Sequence, residues 1–130
     1  PQASITTVNV DKNELEKSIK LASVFARDSG NIIKLQIDSN PSGANDKLQI
    51  KAESSASGNQ EMELEIRSDP SGDEVKEINI MFNFRFIEDI LKVIEDDEVK
   101  IIIAPDNKAS KFLDSKSPNF LHIIMPIKTN

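Results

Sequence analysis

The 130-residue chain has no cysteine, no tryptophan and no tyrosine, and only one histidine. Without cysteine there can be no disulfide, thiolate metal site or thiol nucleophile. The single histidine, His122, lies within an apolar run, where a packed or strand-edge ring is expected rather than a general base. Glycine is scarce, with four residues. No glycine-rich loop precedes a helix pattern, and neither HExxH nor GxSxG occurs. Positive charge is the minority sign: 16 Lys and Arg against 22 Asp and Glu give a net charge of -6. That balance argues against a surface coated all over by nucleic acid, but it leaves room for one basic stripe. No apolar run approaches bilayer-spanning length, and no signal-peptide pattern is present. Neighbouring acids such as Glu88-Asp89 and Asp96-Asp97 diverge on a helix and do not form a metal site. These absences point away from an enzyme and imply no cofactor.

What is present reads as one soluble globular domain over residues 1–130, with 38% hydrophobic and 29% charged residues and enough length for a real core. The chain begins at Pro1 rather than Met, so a longer parent polypeptide is expected. Residues 4–10 alternate loosely as a first strand. Asp11-Lys12-Asn13-Glu14 has the capping-box pattern, and the helix it opens is expected to run to about Asp28, with Gly30 closing it in a left-handed conformation. Three alternating runs follow, Ile33-Leu35-Ile37, Leu48-Ile50-Ala52 and Met62-Leu64-Ile66. The polar turns Asn40-Pro41-Ser42-Gly43 and Ser57-Gly58-Asn59 separate them, and Asp69-Pro70-Ser71-Gly72 ends the set. The second half repeats the order. Ile78-Ile80-Phe82 is a strand, and Asn83 caps a helix to about Glu95 with Ile87, Ile90, Leu91 and Ile94 on one face. Strands at 99–104, 110–114 and 119–125 complete it. Strand, helix, three strands, twice over, predicts an α+β fold with two helices side by side on antiparallel sheets of one wet face.

Three features are left over after the core is assigned. On the first helix, Leu15, Ile19, Ala22 and Ala26 should face the sheet, while Leu21, Val24 and Phe25 fall roughly opposite and need a partner or deep burial. Lys17, Lys20 and Arg27 occupy a third sector, near Lys12. They suit either phosphate contact without sequence preference or an ordinary solvated face with pairs such as Glu16/Lys20. At the C-terminus, Phe120-Leu121-His122-Ile123-Ile124-Met125 reads as a strand apolar on both faces. Pro126 then stops the pairing or moves it to an edge, and Ile127-Lys128 follow. An Ile-Met-Pro-Ile run there is either a last core strand or an adaptable apolar wall.

The segment Ile80-Met81-Phe82-Asn83-Phe84-Arg85-Phe86-Ile87-Glu88-Asp89-Ile90-Leu91 resembles the "FN..Y..D.L" signature of the bacterial DNA polymerase III β subunit, the sliding clamp. Ile123-Ile124-Met125-Pro126-Ile127-Lys128 resembles that family's "VVMPMR" ending, and residues 15–35 resemble the entry to its third domain. The likeness covers nearly the whole chain and about one third of a full-length clamp protomer. It implies a clamp domain whose helices line a central hole, two upstream domains, and a cytoplasmic, non-enzymatic processivity factor closing a head-to-tail homodimeric ring around duplex DNA. The implied partners are DNA polymerase III alpha and clamp-loader subunits and other proteins with clamp-binding motifs. The implied peptide pocket comprises Phe86, Asn107, Ala109, Ile123, Ile124, Met125, Pro126, Ile127 and Lys128. The implied subunit interface uses Leu21, Val24 and Phe25 with Gln60, Met62 and Leu64 of an edge strand. Lys17, Lys20 and Arg27 would face DNA. The chain departs from the family at Phe86, where Tyr is common, at Met81, Asn107 and Lys128, and in running on through Thr129-Asn130. A stand-alone α+β peptide-binding adaptor and an enzyme with dispersed carboxylates are the competing readings.

Overall fold

The computed structural model describes residues 6–39, 46–54, 56, 58–68, 76–103, 109–114, 116 and 121–127. The elements in order are β1 (Thr6–Asp11), α1 (Lys12–Ala26), a 3-10 turn (Arg27–Ser29), β2 (Ile32–Ser39), β3 (Lys47–Ser54) and β4 (Gly58–Ser68). The second set is β5 (Lys76–Asn83), α2 (Phe84–Val93), β6 (Glu98–Ile103), β7 (Ser110–Asp114) and β8 (Leu121–Ile124). The predicted strand-helix-three-strand repeat is present in both halves. The turns expected at 40–43 and 69–72 lie outside the described residues.

Both helices start as the caps dictate. Asp11 Oδ1 accepts the Glu14 N–H at 2.9 Å, and Asn83 Oδ1 accepts the Arg85 N–H at 2.9 Å, each relieving one of the orphan donors of a first turn. After α1 the chain reverses through Gly30 (φ 72) and Asn31 (φ 64), and the Asn31 N–H returns to the Ala26 carbonyl at 2.9 Å. Glycine, and to a lesser degree asparagine, accept this left-handed backbone where a Cβ normally resists it. α2 ends at Val93, two residues sooner than its apolar spacing suggests. Ile94 is extended, and the Asp114 carboxylate takes the N–H of Glu95 at 2.7 Å and of Asp96 at 3.2 Å. That acceptor draws the backbone out of the helix, and the Lys12 ammonium satisfies the freed Ile94 carbonyl at 2.6 Å.

The strands are antiparallel and form an eight-stranded sheet in the order β5-β2-β3-β4-β1-β6-β7-β8. The halves are therefore interleaved. β1 pairs along its whole length with β6 of the second half, and β5 pairs along its whole length with β2 of the first. Each half lends its first strand to the other. β1 also reaches β4, through Val8↔Ser68, Asn9↔Arg67 and Val10↔Ile66. The core lies between the sheet's apolar face and the helices. Leu15, Ile19, Ala22 and Ala26 of α1 and Ile87, Ile90 and Leu91 of α2 meet inward residues such as Val8, Leu35, Ile50, Phe82, Ile101 and Phe112. Phe82 and Phe112, from opposite halves, pack edge to face with centroids 6.4 Å apart at 76°, the arrangement favoured by ring quadrupoles.

Candidate functional site

The first surface is apolar. On β8 only even-numbered side chains turn inward: Ile124 is buried, and so is Pro126 beyond the strand, while Leu121, Ile123 and Met125 face out. Ile123 and Met125 are 58% and 59% exposed, and Phe86, projecting from the first turn of α2, is 56% exposed. α2 lies against β8, and Ile127, three residues beyond the strand, is half-buried. Of the expected pocket residues, Ile124 and Pro126 are thus buried, Phe86, Ile123 and Met125 are exposed, and Ile127 is half-buried. Ala109 is half-buried at the start of β7. Asn107 and Lys128 lie outside the described residues.

Two groups near this surface carry no motif in the sequence. Ser110 is fully buried opposite Ile103 and Ile124, and its hydroxyl has no hydrogen-bond partner among the described residues. Leu121 adds to the outward apolar row. Alternation on β8 makes Leu121 legible; nothing local marks Ser110.

The second surface runs along β4. Only Ile66–Ser68 pair with β1, so among the described residues Gly58–Glu65 have a strand neighbour on one side only, β3. The expected edge is real for that stretch, although β4 is interior in the sheet order. Leu21 and Val24 are exposed on α1. Phe25 is instead half-buried against the core, as is Met62, and Leu64 is buried. The leftover stripe therefore shrinks to Leu21 and Val24, because Phe25 packs against the core cluster. Gln60 is half-buried. A groove of about 280 Å³ lies between α1 and β4, with Lys17, Ser18, Met62 and Leu64 along it. On the outer face Glu63 is paired with Lys47 at 2.7 Å. The hydrogen bond from Lys47, and a second from Gln49, lower the Glu63 pKa, and the Lys47 pKa is raised in turn.

β4 and β8 occupy equivalent places in the two halves. Arg67 stands opposite Asn9, two residues before the Asp11 cap, and Ile127 bonds to Met81, two residues before the Asn83 cap. Under that correspondence the outward row Glu61, Glu63, Glu65 matches Leu121, Ile123, Met125. One edge is acidic and its counterpart apolar, so they suit different partners.

The third surface is a groove of about 550 Å³ between α1 and α2, floored by Ile19 and Leu91. Lys17, Lys20 and Lys92 stand over it among Glu16 and Glu88. Lys92 is absent from the sequence-level set because it belongs to the other helix. Arg27 is exposed on the 3-10 turn and does not line this groove. Lys12 is committed elsewhere, to the Ile94 carbonyl and, at 3.8 Å, to Glu16.

Asp114 is an acid held on several sides. It is buried, and accepts from Glu95, Asp96 and Lys116 N–H groups. The Glu95 hydrogen bond leads in lowering its pKa. Its work is to hold the turn after α2. Among the described residues no three His, Asp or Glu side chains converge as metal ligands would. No helix among them is long and apolar enough to cross a membrane.

Comparison with known proteins bears on these surfaces. Over residues 1–128 the chain matches the family described as DNA polymerase III beta subunit, C-terminal domain. Comparison with curated protein sequences gives no match. Among solved structures, the DNA polymerase III subunit beta of Pseudomonas aeruginosa superposes with a TM-score of 0.82 at 21% identity, covering 99% of this chain and 32% of that one. The beta subunit of Thermotoga maritima gives 0.81 at 26% identity, covering 96% and 31%. A sliding clamp of Bartonella birtlesii bound to griselimycin gives 0.80 at 19% identity, covering 95% and 30%. The chain thus spans about a third of the structures it matches. With α1 and α2 on an antiparallel sheet of β1 to β8 among the described residues and a family match over residues 1–128, it belongs to the family of C-terminal domains of the DNA polymerase III beta subunit, the sliding-clamp fold.

Proposed function

We propose that this chain is the third domain of a ring-shaped sliding clamp that tethers a DNA polymerase to duplex DNA and offers its C-terminal apolar surface to linear motifs of polymerase, clamp-loader and repair proteins. The role is one of binding and needs no covalent chemistry. The observation that carries it is the exposure of Phe86 on α2 and of Ile123 and Met125 on and after β8, two elements in contact, with Ile127 half-buried beyond them, in a chain of this family. Large apolar side chains gathered at one surface gain free energy only when a partner covers them, and a few such anchors supply most of the affinity of a short extended peptide.

The other two surfaces take the remaining roles. Residues 1–130 form one domain, with two further domains of the same order upstream. The Gly58–Glu65 edge, with Leu21 and Val24 beside it, joins a neighbouring protomer by strand addition, head to tail. Lys17, Lys20 and Lys92 face the DNA, with Arg27 at the margin. Glu16 and Glu88 among the lysines keep each phosphate contact weak, which suits a protein that must slide.

The test is an NMR titration with the peptide Gln-Leu-Ser-Leu-Phe, repeated with griselimycin, the ligand of the Bartonella birtlesii and Pseudomonas aeruginosa clamps. Saturable shifts confined to Phe86, Ile123, Met125 and Ile127 are expected. Absence of shifts at millimolar peptide, both in this chain and with upstream domains joined to it, defeats the proposal.

A further inference from the structure

Pairing resumes after β8 in an unexpected place. β8 ends at Ile124, and Pro126 has no N–H to offer. The next N–H, that of Ile127, donates to the Met81 carbonyl at 2.8 Å. Met81 belongs to β5, at the opposite end of the strand order, so this bond joins the sheet's two ends. Its counterpart in the other half, the β1–β4 seam, has three paired positions. Among the described residues the Ile127–Met81 seam is a single bond outside the regular ladders.

That bond ties the segment beyond β8 to β5, the strand that leads directly into α2 and Phe86. On one side, Met81 comes two residues before the Asn83 cap, and Phe86 three residues after it. The segment between is fixed: Asn83 pairs with Ile32, and the Phe84 N–H donates to the Asn31 carbonyl at 2.9 Å. On the other side, Ile124 is held opposite Ser110 in the β7 ladder. Met125 and Pro126 therefore span two anchors, the ladder at Ile124 and the bond at Ile127. Without the second anchor the segment beyond Ile124 would have to be ordered whenever a ligand arrives, and ordering opposes binding.

We infer that the Ile127 N–H to Met81 C=O bond is a latch that sets the distance between the Phe86 wall and the Met125–Ile127 wall, so that affinity for an extended apolar peptide depends on a backbone hydrogen bond as well as on side chains. This rests on the peptide-binding reading above. Met81 acts here as a positioning residue: its carbonyl, not its side chain, does the holding. By linkage, a ligand that prefers the latched state must stabilise the latch by the same factor by which the latch improves binding.

The experiment replaces the Ile127 amide by an ester, installed by semisynthesis, which deletes the N–H and keeps the side chain. Affinity for the peptide Gln-Leu-Ser-Leu-Phe is measured by NMR titration for amide and ester proteins. On the unmodified protein, hydrogen exchange at the Ile127 N–H is measured with and without saturating peptide, using the Asn31 N–H as a control. The latch predicts a roughly three- to tenfold weaker affinity for the ester, the range of one net backbone hydrogen bond. It also predicts slowing of Ile127 exchange by a matching factor, with none at Asn31. Equal affinities, or Ile127 exchange indifferent to bound peptide, overturn the latch and leave the peptide site standing. An unmodified protein that binds no peptide, alone and with upstream domains joined to it, overturns both. The exchange arm decides the matter if the ester protein does not fold.

Discussion

Phe86 and Val93 provide a matched pair for testing which exposed apolar groups serve a ligand. Both project from α2, seven residues apart on one helical face, and they are 56% and 58% exposed. A fully buried Phe removes about 200 Å² from water, so the part of Phe86 still exposed is on the order of 110 Å². At about 25 cal/mol per Å², a ligand covering two thirds of that area gains about 1.8 kcal/mol, close to a twentyfold change in Kd. The portion already buried makes Phe86→Ala cost at most about 2 kcal/mol in folding. Val93→Ala should cost about 0.5 kcal/mol or less, as exposed substitutions do. The assay is peptide titration at a temperature where urea melts show each variant fully folded. Phe86→Ala should weaken Gln-Leu-Ser-Leu-Phe binding about twentyfold by the area argument, and Val93→Ala should leave it unchanged. Binding by Phe86→Ala within about twofold of the parent, or equal losses in the two variants, refutes the assignment of Phe86 to the wall.

Acid should unfold the chain partly through Asp114. Its folded pKa is lowered, so its contribution is complete above the ordinary aspartate value of 3.8 and is lost as pH falls through the folded value. Urea melts between pH 5 and 2 should show a shallower acid limb for Asp114→Asn than for the parent. Phe112→Ala removes one ring of the edge-to-face pair with Phe82 and should cost about 3–5 kcal/mol by urea melt; with Phe82→Ala, a double-mutant cycle should return a coupling of about 0.5–1.5 kcal/mol. In the longest polypeptide that carries this chain, Lys17→Ala, Lys20→Ala and Lys92→Ala should each reduce the slope of log affinity for duplex DNA against log salt by about 0.9 if the lysine meets one phosphate. An unchanged slope removes that lysine from the DNA-facing set.

The element order was legible because both of its signals are local. Alternation at Leu48-Ile50-Ala52 marks a half-buried strand, and Asp11 and Asn83 mark helix starts. Strand neighbours were not legible, since period two says which way a side chain points and nothing about which strand lies beside it. Hence the exchange of β1 and β5 between halves emerges only in three dimensions. The end of α2 escaped for a related reason: its terminator, Asp114, is some twenty residues away. At the candidate surfaces, the apolar run at Ile123 and Met125 left a last core strand and an exposed surface both open, because residues apolar on both faces do not say which face is covered. Phe25 could not be separated from Leu21 and Val24, because spacing gives the direction of a side chain and not whether a long one reaches the core. Lys92 and Ser110 depend on α1 meeting α2 and on β7 meeting β8, and neither contact has a signature in the chain.

The reciprocal loan of β1 and β5 also determines what a cut would do. A break between β4 and β5 would not yield two small folded bodies. The first fragment would hold β1, the strand that pairs with its partner's β6, and lack β5 beside its own β2, and the second would hold β5 and lack β1. Each piece alone would present an unsatisfied ladder and an uncovered apolar face, and each carries the strand the other needs. The two βαβββ units are therefore halves of one cooperative object, able to reach the folded state only as a complementing pair.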